Sequence, residues 1–234
     1  MSGELAQIIL RDNGDIQIKQ TDEHGISTTK LVAANDFINS FSAVAQADTG
    51  LLPAGIKQYV KQGQNVYLAV DLPAHIRKVT YVNSNGTTEY AVPMPNHVWF
   101  IAATEVPGGL RIRNTRIFIT RNPIIDPEET LYSYPFGNVY RPECNICWGN
   151  INIPTMPSLA SMGSINELFY SGPFNGDLSG LHLHIPFEGR DLSRGEHLFT
   201  ALNDKPLEDF PFWEYMERTG TYRSRFSTFC SERG

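Results

Sequence analysis

The sequence predicts an α+β fold, and three observations carry that prediction. A stretch of helical period, "NDFINSFSAVAQADTG" at residues 35–50, precedes a series of short strand-like segments joined by turns. From Asn122 to Gly163, six prolines break every candidate helix or strand. Helical patterns then return between residues 164 and 217. The expected order is a helix, an antiparallel meander, a long loop containing cysteine, and C-terminal helices.

The elements follow from local pattern. "AQIIL" and "DIQIKQ" flank the turn "RDNG", so an N-terminal hairpin is expected, turning at Asn13-Gly14. In the helix after it, Asn35 or Asp36 serves as cap and Gly50 lies just past the end, with Phe37, Phe41, Val44 and Ala45 near helical spacing. "LLPAGIKQYVKQGQN" reads as a connector. "NVYLAVDLP" sets Val66, Leu68 and Val70 against Tyr67, Ala69 and Asp71. "HIRKVTYV" ends at the turn "NSNG", and "TTEYAVPMP" resumes beyond it. "HVWFIAATE" is apolar on both faces, as a buried central strand would be. "GGLRIRNTRIFITR" changes phase near Asn114, which suggests a bulge. After the proline-rich loop, "SINELFYSG" reads as a short helix between Ser164 and Gly172, and "LHLHIPF" as a short strand. "SRGEHLFTALND" reads as a helix starting near Ser193, and "FPFWEYMERTG" as a last helix or turn.

Composition narrows the function. The 234 residues suit one domain with added arms, and 41% hydrophobic content supplies a sizeable core. A net charge of −6 argues against a nucleic-acid binder with a broad basic surface, and the arginines between Arg218 and Arg233 read as a solvated tail. No 18-residue apolar run predicts a membrane span. The N-terminus lacks the pattern of a signal peptide, and three cysteines make no disulfide framework, so a cytoplasmic location is expected.

The chemistry concentrates in "FGNVYRPECNICWGNINIP", residues 136–154, which holds Cys144 and Cys147. Three readings are open. A redox C-x-x-C would open a helix, where the dipole lowers the thiol pKa, but "WGNINIPTMP" follows. A zinc clip could combine Cys144 and Cys147 with His182 and His184, which share one face of a strand. The third reading uses one thiol. Cys147 would be an accessible nucleophile, and the Asn138 amide a donor where an oxyanion develops. Such a site needs no histidine base if the incoming acyl group is already a thioester, because exchange between thiols is nearly isoenergetic.

The last reading coincides with a resemblance. Ubiquitin-conjugating enzymes carry His-Pro-Asn, a Tyr- or Asp-containing turn, a hydrophobic residue, the catalytic Cys and an apolar stretch. This chain has Phe136-Gly137-Asn138, then "VYRPECN", then Ile146-Cys147 and "WGNI". More narrowly, "LYSYPFGNVYRPECNICWGNI" resembles the prokaryotic family D of these enzymes, the B proteins of PRTRC systems, whose Cys is likewise followed by a large residue and Gly-Asn. The resemblance is densest over residues 130–152, and element order agrees over about 64–203. His and Pro of the tripeptide are replaced, Asn138 and Cys147 stand one residue further apart than usual, and Cys144 is extra.

The resemblance implies a ubiquitin-conjugating-enzyme-like fold: a helix, a four-stranded antiparallel meander, the active-site loop and C-terminal helices. Residues 64–234 would form that domain, and residues 1–63 an N-terminal extension of hairpin and helix packed on it. Cys147 would accept a ubiquitin-like protein as a thioester by transthioesterification and pass it to an amine. Asn138 would stabilise the oxyanion or brace the loop, with Cys144, Tyr140 and Trp148 as auxiliary residues. No cofactor or metal is implied. The implied partners are a ubiquitin-like protein, a ThiF-like activating enzyme and a JAB-type metallopeptidase, in an operon that is commonly plasmid-borne. The same fold around a non-catalytic Cys147 would be a binding module for the ubiquitin-like protein.

Overall fold

The computed structural model describes residues 6–21, 25–34, 36–37, 52, 54–178, 186–187, 190–192, 195–208, 210 and 212–232. The chain divides into two units, Met1–Leu51 and Leu52–Gly234. In the first, β1 (Ala6–Leu10), β2 (Asp15–Thr21) and β3 (Ser27–Ala33) form an antiparallel sheet in that order. β1 and β2 meet across a turn in which the Gly14 amide donates to the Arg11 carbonyl at 2.9 Å. Gly14 has φ of 82°, a left-handed value that favours glycine. β3 escaped the sequence reading because its exposed run "STTKLVA" shows no clear alternation. Apart from residues 36 and 37, the helix expected over 35–50 lies outside the described residues.

The second unit is built on antiparallel strands. In chain order they begin with β4 (Ile56–Gln62), β5 (Asn65–Leu72), β6 (His75–Asn83), β7 (Gly86–Met94), β8 (His97–Val106) and β9 (Gly109–Ile119). The short strands β10 (Thr130–Ser133), β11 (Val139–Tyr140) and β12 (Asn145–Ile146) follow. The main sheet runs β11-β12-β9-β8-β5-β4. The strand-like segments were expected to pair consecutively. Instead β5 pairs with β8 from Asn65↔Thr104 to Leu72↔His97, and β6 and β7 pair as a separate two-stranded sheet. The cause is burial. β5 and β8 are buried along most of their length and belong at the centre, whereas β6 alternates toward solvent and β7 begins with four exposed residues.

β4 occupies the segment expected as a connector, pairing with β5 from Ile56↔Val70 to Gln62↔Asn65. It is an edge strand whose Lys57 and Lys61 blunt further pairing and obscure its period. The expected bulge near Asn114 is present, since Ala102 pairs with Asn114 and Ala103 with Ile112, leaving Arg113 out of register.

Adjacent residues of β8 point to opposite faces and divide the core between them. The remaining elements are α1 (Leu159–Met162), α2 (Ile165–Ser171), β13 (Pro186–Phe187), β14 (Arg190–Asp191), α3 (Gly195–Leu202), a 3-10 turn (Trp213–Tyr215), β15 (Arg218–Thr221) and α4 (Tyr222–Ser231). On one face Phe100 meets Tyr222, Phe226 and Phe229 of α4 at ring distances of 5.9, 5.1 and 5.7 Å. On the other, Trp99 meets Phe169 of α2 at 5.4 Å. The tail expected to be solvated is therefore part of the core. β15 pairs with β10, and the aromatics of α4 fall at i, i+4 and i+7 between arginines and serines that mask them. Among the described residues no helix is long and apolar enough to cross a membrane.

Candidate active site

The cysteine-bearing loop folds into a small hairpin. Val139 pairs with Ile146 and Tyr140 with Asn145, and the Cys147 amide donates to the Asn138 carbonyl at 2.8 Å. Strand alternation then sorts the side chains. Val139 and Ile146 enter the core, while Asn138, Tyr140 and Cys147 line a cleft of about 520 Å³ on the opposite side. The chain reaches the hairpin through two left-handed residues, Gly137 at φ 82° and Asn138 at φ 54°. Asparagine is among the few side chains that tolerate that region. β12 ties the hairpin to β9, with Asn145 opposite Arg116, whose Nε donates to Asn145 Oδ1 at 2.9 Å.

Phe136 anchors the entry. It is fully buried, with ring neighbours Tyr134 at 5.3 Å, Phe199 at 5.7 Å and Phe210 at 6.2 Å. Trp148 anchors the exit. Its indole N–H donates to Thr115 Oγ1 at 2.9 Å, and its ring lies 5.9 Å from Phe169. Cys147 is thus a half-buried residue held between two fixed segments.

The five expected residues separate by position. The Cys147 thiol contacts Tyr140 Oη at 3.5 Å. That sulfur holds the Tyr140 phenol above its ordinary range. Asn138 Nδ2 donates to the Pro173 carbonyl at 3.0 Å, fastening the hairpin to the chain beyond α2. Trp148 forms part of the cleft wall. Cys144 does not join them. It is fully buried at φ 62°, with Sγ 3.7 Å from the Pro142 carbonyl, and burial raises its thiol pKa, which disfavours the reactive thiolate. His182 and His184 lie outside the described residues, and among those described no group of three or more His, Cys, Asp or Glu could hold a metal ion.

The cleft also contains residues the sequence reading missed: Asn150, Pro173, Asn175 and Asp177. Asp177 is an exposed carboxylate on the wall shared with Cys147. Asn175 fixes it, accepting from the Asp177 amide at 3.0 Å and donating to its carboxylate at 3.1 Å. The Phe174 amide donates to the Thr80 carbonyl at 2.7 Å, so β6 holds this loop in place. The only advance signal was the Asn-Gly-Asp turn at 175–177, some 30 residues beyond Cys147 in sequence.

The family model described as prokaryotic E2 family D matches residues 38–214. No curated protein and no solved structure matches the chain. A predominantly antiparallel sheet with few helices is consistent with an E2-like fold.

Proposed function

The chain belongs to prokaryotic E2 family D, and from that membership and the geometry around Cys147 we propose that it is a ubiquitin-conjugating-like cysteine acyltransferase. Cys147, as thiolate, attacks the carbonyl carbon of a ubiquitin-like protein held as a thioester on an activating enzyme. The new C–S bond forms as the old one breaks, and the activating enzyme's thiolate leaves. An amine then attacks the Cys147 thioester, loses a proton and releases the Cys147 thiolate, leaving an amide. Asp177 attracts the ammonium form of that amine to the cleft, where the ammonium gives up one proton to water before attacking as the free amine. A ThiF-like activating enzyme supplies the acyl group, and a JAB-type metallopeptidase is the matching hydrolase. In this reading β4, β5, β8 and β9 are the four-stranded core of the conjugating-enzyme fold, and the β6–β7 hairpin is an excursion from it.

One observation supports the reading most. The thiol lies on the open face of a hairpin whose other face is buried, at the wall of a cleft large enough for an extended C-terminal tail. The test combines the chain with a ubiquitin-like protein, its activating enzyme and ATP, followed by a non-reducing gel. A thiol-sensitive adduct should form, vanish in Cys147→Ser and persist in Cys144→Ser. Binding without an adduct would identify a non-catalytic binding module instead.

A further inference from the structure

Resting on the acyl-transfer reading, we propose that Tyr140, not Asn138, donates the hydrogen bond to the carbonyl oxygen that reacts at Cys147, and that Asn138 is a positioning residue. Asn138 is constrained at three points. Its amide Nδ2 is engaged by the Pro173 carbonyl at 3.0 Å, its main-chain carbonyl accepts from the Cys147 amide at 2.8 Å, and its backbone is left-handed. These contacts set where the sulfur sits. They direct the side-chain amide toward Pro173. Asn175, the next amide of the cleft, directs its Nδ2 to the Asp177 carboxylate.

Tyr140 differs. Hairpin register sets it diagonally from Cys147 on one face, its Oη is 3.5 Å from Sγ, and 51% of the residue is exposed at the cleft. A carbonyl carbon bonded to Sγ carries its oxygen one bond further, within reach of a hydroxyl already touching the sulfur. The phenol is held above its ordinary range by its contact with the sulfur, which favours the protonated form that can donate. In the step, the thiolate forms the C–S bond and the carbonyl π pair moves onto oxygen. Tyr140 donates a hydrogen bond to that oxyanion without transferring its proton. The pair then returns as the leaving thiolate departs and takes a proton from water.

Two reactions of the whole chain separate this role from simple thiolate supply: acylation by the thiophenyl ester of N-acetylglycine and alkylation by iodoacetamide, both followed at Cys147 by mass spectrometry. Alkylation needs the thiolate but generates no oxyanion. Tyr140→Phe should slow acylation on the order of 10²-fold, as loss of one oxyanion donor does, while alkylation changes little. Asn138→Ala should slow both in the same proportion. The proposal is overturned if Tyr140→Phe leaves the ratio of the two rates at its wild-type value, or if Asn138→Ala alone lowers it. Wild-type Cys147 reacting with the ester no faster than N-acetylcysteine would instead remove the acyl-transfer reading, and this inference with it.

Discussion

Acid should destabilise this fold through one buried imidazole. His97 is buried at the start of β8, and its Nδ1 lies 2.9 Å from the Pro95 carbonyl. A carbonyl only accepts, so Nδ1 carries the proton and Nε2 is the acceptor. Tyr170 then donates to Nε2 at 3.5 Å and accepts from Tyr134 Oη at 3.2 Å. Burial drives the His97 pKa down from 6.5 to about 4, against the Pro95 contact, and His75 and Arg77 add to the lowering. The sign follows from linkage. The unfolded chain takes up a proton as pH falls through 6.5, while the folded chain stays neutral until about 4, so stability is full above the unfolded value and is lost between them. The loss is about 2 kcal/mol at pH 5 and about 3 kcal/mol below pH 4, a large part of a typical domain's 5–15 kcal/mol. Urea unfolding of wild type and His97→Phe at pH 7, 6 and 5 measures it. The variant leaves the Tyr170 hydroxyl and the Pro95 carbonyl without this partner, which costs about 1–3 kcal/mol at every pH. Its stability should nonetheless fall less steeply with acid. Glu167, held below the usual carboxylate range chiefly by its hydrogen bond to Arg77, keeps its contribution above its unfolded value of 4.5 and loses it as pH falls from there toward the folded value, so it adds little to the change between pH 7 and 5. Parallel pH profiles for the two proteins would refute the reasoning.

Two further predictions concern the site's frame. Phe136→His restores the residue of the conjugating-enzyme tripeptide but puts a polar ring among Tyr134, Phe199 and Phe210, so it should lower unfolding free energy by about 2–4 kcal/mol, measured in urea. Iodoacetamide applied to the native chain should modify Cys147 well before Cys144, whose thiol is buried and shifted upward; peptide mass spectrometry reads the order, and equal rates would contradict the assignment of Cys144 to the core.

The sequence revealed those features whose pattern is local. Ser164 and Gly172 bracket α2 as expected, and the phase change near Asn114 marked the bulge. The proximity of Cys147 and Asn138 was legible because both lie within one short segment. What was hidden depends on distant partners. β6 and β7 have strand pattern, but nothing local states that β5 bypasses them for β8. The terminal helix was masked because its three aromatics, which bury against Phe100, are interleaved with polar residues, of which Arg223 pairs with Glu128 at 2.7 Å and Arg225 lies over the Phe118 ring at 5.3 Å. Asp177 was unreadable for a similar reason. Its relation to Cys147 exists only after Phe174 has paired with β6.

The departures from the familiar motif also have a common physical answer. In a hairpin, residues added between the paired positions lengthen the turn without altering which side chains face one another. Here Tyr140 pairs with Asn145, so residues 141–144 form the turn, and the Cys147 amide still meets the Asn138 carbonyl. Cys144 is the last residue of that turn, left-handed and buried, and its carbonyl accepts from the Ile117 amide at 3.1 Å, which pins the turn to β9. Cys144 thus fastens the turn through its main chain, and its buried thiol does not line the cleft. Phe136 works in the same sense. It fixes the entry by burial, and Gly137 supplies the left-handed step that a side chain with a Cβ would resist. Position around Cys147 is therefore maintained by packing and register, and Tyr140 and Asp177 are exposed polar groups at the cleft.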